Sequence, residues 1–172
     1  MENLKNLIQD YAKDIRVNLG NVISSGATGL SEQQAYGIAL ASAYAVKNKS
    51  VIENILAEAQ TKLSAEQINA AKTAASLMAM NNIYYRFTHL VSDEEYQKMP
   101  AGLRMQGIAN HGIDKLDFEL YSLAVSAING CGMCMDSHAK SSANHGATKQ
   151  MVQSAVKIGA VIAAAAQAVE IG

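Results

Sequence analysis

Apolar positions recur along the chain every three to four residues, and the pattern is interrupted at near-regular intervals. After Ser31, the residues Ile38, Ala41 and Ala45 fall on one helical face. After Ser50, Ile52, Ile55, Leu56 and Ala59 do the same. Four S/T-x-x-E/Q signatures predict helix starts: Ser31 with Gln34, Ser50 with Glu53, Ser64 with Gln67 and Ser92 with Glu95. Asp114 opens a run whose Leu116, Leu120, Leu123 and Ile128 are expected to bury one stripe, and Thr148 opens the last helix. Asn81-Asn82 and the segment 99–102 read as breaks. No stretch alternates long enough to be a strand. The expected fold class is all-α.

The pattern also repeats. Tyr36-Gly37-Ile38-Ala39-Leu40 is echoed by Tyr121-Ser122-Leu123-Ala124-Val125, 85 positions later. Ser64-Ala65-Glu66-Gln67-Ile68 is echoed by Thr148-Lys149-Gln150-Met151-Val152, 84 positions later. The expectation is a single domain over 1–172, made of two related antiparallel helical halves, approximately 1–90 and 91–172. The cysteines then fall opposite Val46 and Lys49, so only the second half carries chemistry.

Composition narrows the function classes. The 172 residues are 49% hydrophobic, ample for a core, and only 17% charged. Fourteen basic residues against 15 acidic ones give a net charge of -1, which removes the electrostatic basis for binding nucleic acid. One proline, Pro100, and no tryptophan fit long helices. The start, Met1 to Lys5, lacks the basic and apolar run of a signal peptide. The most apolar stretch, Ile158 to Val169, is shorter than the roughly 20 residues that span a bilayer. A cytoplasmic protein without a membrane segment is expected.

The chemistry is concentrated at Cys131 and Cys134, the two cysteines of the chain. In a reducing compartment a lone C-x-x-C points to redox chemistry or half a metal site. Asn129-Gly130 ends one helix, and the next is expected to begin at or just after Cys131, with Gly146 as its stop. Both thiols then lie in a first helical turn, where unpaired amides and the positive dipole end favour thiolate. His138 follows Cys134 by four residues and Cys131 by seven, so the three are expected to share a face, and His138 is placed to take a proton from Cys134 or to stabilise its thiolate as imidazolium. Glu119 lies on the preceding helix, twelve residues before Cys131. An antiparallel turn near Gly130 would bring its carboxylate back toward the pair. A structural zinc needs four ligands, and only His138 and Glu119 accompany the cysteines. No metal is expected. His89, His111 and His145 read as structural or exposed, and Met133 as local packing or a partner surface. Tyr84, Tyr85 and Arg86 could approach the site from the first half, although no spacing requires it.

Glu119, Cys131-x-x-Cys134 and His138, following FELYSLAVSAINGC, resemble the alkylhydroperoxidase D (AhpD) family of the carboxymuconolactone decarboxylase-like superfamily. YAKDIRVNL near the start, MAMNNIYYR at 78–86 and PAGLRMQGIAN at 100–110 extend the likeness over nearly the whole chain. The resemblance implies an all-α fold of duplicated halves, assembled as a homotrimer. It implies a thiol-dependent antioxidant enzyme that reduces organic hydroperoxides and regenerates the peroxiredoxin AhpC. Electrons would come from NADH through dihydrolipoamide dehydrogenase and a lipoylated acyltransferase, with dihydrolipoamide an external donor and no cofactor bound.

By the same resemblance, Cys134 is the nucleophile that becomes a sulfenic acid. Cys131 is the proton donor and resolving thiol of the redox disulfide, and Glu119 and His138 form a proton relay. Many other C-x-x-C enzymes use the first cysteine as nucleophile, whereas the four-residue step to His138 favours Cys134. Family members often carry histidine just before the second cysteine, where this chain has Met133. Two competing readings are a lactone decarboxylase without a redox role and an adaptor whose cysteines sense peroxide without turning over.

Overall fold

A computed structural model describes residues 1–23 and 28–172. In chain order its helices are α1 (Glu2–Asn6), α2 (Lys13–Ile23), α3 (Glu32–Val46), α4 (Lys49–Ala59) and α5 (Ala65–Leu90). Then come α6 (Glu95–Lys98), α7 (Lys115–Ile128), α8 (Gly132–Asn144) and α9 (Lys149–Ile171), with 3-10 turns at Asp10–Ala12 and Gln106–Ile108. Among the described residues there is no strand, and the fold is all-α around one hydrophobic core.

The helix starts follow from side chains that accept otherwise orphaned amides. Ser31 and Ser64 both form full capping boxes, with Gln34 and Gln67 reaching back. Asp114 accepts from the Leu116 amide and Thr148 from that of Met151. Two expected starts fall elsewhere. α4 is capped by Asn48, whose side chain accepts from the Val51 amide, so Ser50 lies inside the first turn. Ser92 caps nothing, because the short α6 follows Glu94 and the Glu95 amide is met by Asp93 Oδ1 at 3.0 Å.

The expected break at Asn81-Asn82 is absent. α5 runs straight through both asparagines, which are buried and turned inward. Asn82 Nδ2 donates to Ser126 Oγ at 2.9 Å, and Asn129 Nδ2 donates to Asn82 Oδ1 at 2.9 Å. Tertiary hydrogen bonds here outweigh the weak helix propensity of asparagine. The segment 99–102 is a break, with Gly102 at φ 64°.

Helix α7 is the hub, packed by α3, α5, α8 and α9. It was expected to bury one stripe, yet every residue from Phe118 to Ser126 is buried, as a helix enclosed on all sides requires. Small residues let its neighbours approach. A Cβ at Gly37 on α3 would overlap the Tyr121 ring and hydroxyl, and one at Gly159 on α9 would sit 3.2 Å from the Ala124 carbonyl oxygen. Helix α9, at 23 residues, is long and apolar enough to cross a bilayer by length and composition, unlike the shorter stretch read from the sequence. Its face carrying Ala155, Ile158, Ile162 and Ala165 is buried in the core against α2, α3 and α7.

Helix triplets recur. The caps of α3, α4 and α5 (Ser31, Asn48 and Ser64) are followed 83 or 84 residues later by those of α7, α8 and α9 (Asp114, Cys131 and Thr148). Cys131 therefore stands opposite Asn48, a cap opposite a cap, and not opposite Val46.

Candidate functional site

The α7–α8 corner brings the chemistry together. Gly130, at φ 70°, supplies the left-handed turn that ends α7. Cys131 is then the N-cap of α8, and its sulfur accepts from the Cys134 amide at 3.3 Å, as serine or aspartate does at other helix starts. Cys134 lies in the first turn, and the two cysteines are joined in a disulfide. The first is fully buried and the second 6% exposed. A thiolate formed at either position faces the positive end of the helix.

His138 lies one turn beyond Cys134, on α8, and packs against α7. Its Nδ1 is 2.7 Å from Glu119 Oε2. A carboxylate can only accept, so Nδ1 carries the hydrogen and Nε2 is the nitrogen left for proton exchange. Nε2 lies 3.2 Å from Met78 Sδ. The other carboxylate oxygen of Glu119 takes Lys115 Nζ at 2.7 Å. Burial by itself would raise the Glu119 carboxyl, but the hydrogen bonds from His138 and Lys115 reverse this and hold it at about 2. Glu119 is thus a buried anion at neutral pH with both oxygens engaged.

These groups floor an open cleft of about 320 Å³. Cys134, His138 and Glu119 line it, and Cys131 does not. Its walls are apolar and soft: Met78 and Tyr85 from α5, Met133 from α8, and Met105 and Ile108 from the segment before α7. A larger cavity of about 530 Å³ lies between the end of α3 and α5, lined in part by Lys47, Lys72 and Arg86 and by no cysteine, histidine or carboxylate. Among the described residues, no group of three or more His, Cys, Asp or Glu side chains is arranged to hold a metal ion.

The four residues expected from the motif are therefore neighbours, Glu119 included, although 19 residues separate it from His138. Of the other candidates, Tyr85 enters the cleft, whereas Tyr84 packs edge-on against it. Arg86 instead donates to the Asn129 carbonyl at 2.7 Å and braces the corner from outside. His111 stacks on Phe118, with ring centroids 4.3 Å apart, and His145 caps the end of α8. Sequence reasoning missed Met78 and Asn81. The Asn81 carbonyl lies 4.0 Å from Cys134 Sγ, where a reduced thiol would find an acceptor. The inward face of α5 was the available signal, and reading Asn81-Asn82 as a break concealed it.

Fold and site together define an all-α protein with a C-x-x-C disulfide beside a buried imidazole–carboxylate pair. Curated proteins match the chain over nearly their whole length. The chain is 57% identical to the alkyl hydroperoxide reductase AhpD of Hyphomonas neptunium, over 97% of this chain and 92% of that protein. It is 54% identical to the AhpD of Coxiella burnetii, over 97% and 95% of the two chains. For the AhpD of Rhodopseudomonas palustris the identity is 52%, over 100% and 94%. The sequence model of the Carboxymuconolactone decarboxylase family matches residues 94–171. The chain belongs to the AhpD family.

Proposed function

We propose that this chain is an antioxidant oxidoreductase that reduces organic hydroperoxides by cycling Cys131 and Cys134 between dithiol and disulfide. The observation that carries the reading is the floor of the cleft. There a cysteine with a disulfide partner three residues away shares one small, mostly apolar space with a His–carboxylate pair.

The chemistry balances as follows. In the reduced protein His138 Nε2 takes the Cys134 proton, with Glu119 holding the resulting imidazolium. The thiolate attacks the distal peroxide oxygen, the O–O bond breaks, and Cys134 becomes a sulfenic acid. The departing alkoxide takes a proton supplied by Cys131 and leaves as an alcohol. The Cys131 thiolate then attacks the sulfenic sulfur and expels hydroxide, which leaves as water with the proton held by His138. The disulfide forms and two electrons have passed to the peroxide. Cys134 is assigned as nucleophile because it lines the cleft and Cys131 does not. Dihydrolipoamide restores both thiols by exchange and becomes the cyclic disulfide.

In this reading the upstream electrons come from NADH through dihydrolipoamide dehydrogenase and a lipoylated acyltransferase. The downstream partner is the peroxiredoxin AhpC, and the compartment is the reducing cytoplasm. Assembly as a homotrimer belongs to the same reading; the apolar stripe of Ile83, Phe87 and Leu90 on α5, which is 66%, 47% and 71% exposed, supports self-association without setting the number of subunits. The test is NADH-linked turnover of an organic hydroperoxide with dihydrolipoamide dehydrogenase and lipoamide. Wild-type protein should turn over, and Cys134→Ser should lose both this activity and AhpC reduction. Full activity in that variant would overturn the assignment. A single oxidation without turnover would indicate a sensor, and no oxidation at all a decarboxylase.

A further inference from the structure

Lys115 occupies an unfavourable position for a lysine. It is the first residue of α7, where the unpaired amides carry the positive end of the helix dipole. Its partner Glu119 follows by four residues, and lysine before glutamate is the weaker order for such a helix pair. Helix stability does not account for the pair, but the site does. The Lys115 side chain is 37% exposed, yet its ammonium reaches the Glu119 carboxylate, whose side chain is 5% exposed, on the oxygen that His138 leaves open.

We infer that Lys115 is a positioning residue for the proton chemistry of Cys134: its ammonium keeps Glu119 an unprotonated acceptor, and this holds the hydrogen of His138 on Nδ1. The consequence follows from hydrogen-bond roles alone. Burial pushes a carboxylate toward gaining a proton, and with the Lys115 charge removed one imidazole hydrogen bond is left to oppose it. Protonated, it donates to Nδ1, and the ring hydrogen must move to Nε2. Nε2 then has no lone pair with which to accept the thiol proton. Lys115 blocks that tautomer switch without touching sulfur or substrate.

The other groups facing Glu119 do not supply this charge. Helix α8 contributes His138 itself and Cys134, and α5 contributes Tyr85 at the cleft beside the non-titrating Met78 and Asn81. The segment before α7 contributes His111, which burial and Lys115 hold below its usual value, and the Asp114 cap. Asp117 is engaged with Gln34 of α3 at 2.8 Å. Lys115 is the cation bonded to the carboxylate. The direction of the Glu119 shift agrees: against burial, the His138 hydrogen bond lowers it most, and the Lys115 hydrogen bond and charge lower it further.

The importance of this positioning for turnover rests on the dithiol reading, but the test does not. In reduced, 15N-histidine-labelled protein, NMR reports the His138 tautomer, and iodoacetamide alkylation reports the nucleophilicity of Cys134 against pH. Lys115→Met should shift His138 toward the Nε2–H form. It should slow alkylation about tenfold near pH 6 while changing it less than about twofold near pH 8.5, as a raised acid limb requires. Lys115→Arg should restore both readouts. In a Glu119→Gln background, Lys115→Met should add nothing. Lys115→Gln provides the same comparison if the methionine variant folds poorly. An unchanged tautomer and pH profile would overturn the inference, as would a uniform loss with a lowered Tm that arginine fails to rescue. Normal alkylation in a wild-type protein that never cycles with hydroperoxide would instead count against the proposed function alone.

Discussion

Replacing Glu119 with glutamine keeps the side-chain shape and removes the charge, so it isolates what the buried carboxylate contributes. In the folded protein this carboxyl titrates at about 2, against 4.5 for the free group. That difference corresponds to about 3 kcal/mol of folding stability at neutral pH. The sign is fixed by the direction of the shift. A carboxyl held below its unfolded value stabilises the fold above 4.5, and the contribution disappears as pH falls from 4.5 through 2. The amide also turns an NH2 toward a donor, either Lys115 Nζ or His138 Nδ1–H, and leaves one of them without an acceptor. Urea unfolding of the oxidised protein at fixed concentration, followed by far-UV circular dichroism, measures the gap between wild type and Glu119→Gln. The charge-dependent part of the gap should be about 3 kcal/mol at pH 7 and fall to less than roughly half by pH 3, with the unpaired donor adding a pH-independent remainder. Other carboxylates titrate in both proteins and cancel. A gap independent of pH, or none at pH 7, would refute the reasoning.

Two further variants test the scaffold. Asn82→Ala strips the partners from the buried Ser126 hydroxyl and the Asn129 amide, costing about 2–3 kcal/mol by urea unfolding. The same variant should speed alkylation of the otherwise buried Cys131 in reduced protein, because the brace on the 129–131 corner is lost; unchanged stability would mean that the network is not structural. Gly37→Ala should cost roughly 1–3 kcal/mol by overpacking α3 against Tyr121, read as a lower Tm, and a neutral result would mean that the α3–α7 crossing relaxes freely.

What the sequence made legible was local. Ser31, Ser64, Asp114 and Thr148 cap helices because a side chain three or fewer residues away from its amide partner needs nothing else to do so. Ser50 misled because Asn48, two residues earlier, is an equally competent cap and reaches the Val51 amide first. Asn81-Asn82 misled because propensity was read without the partners on α7 that bury them. The site divides in the same way. The placement of Cys134 and His138 on one face follows from helical spacing, whereas Cys131, as the extended N-cap, stays off the cleft and the Glu119 contact depends on how α7 and α8 cross. Met78, 60 residues from His138, depends on where α5 lies. Lys115 was invisible for another reason: as a helix pair it is in the wrong order, and only the buried carboxylate explains it.

The most direct measurement is the mass of the peptide spanning 131–134, taken from reduced, metal-free protein before and after one equivalent of organic hydroperoxide, with dihydrolipoamide then added to a second aliquot. The account predicts the loss of two hydrogens on peroxide treatment and their full return with dihydrolipoamide. A peptide that keeps both thiols through the peroxide step, or a disulfide that dihydrolipoamide cannot reduce, would contradict it.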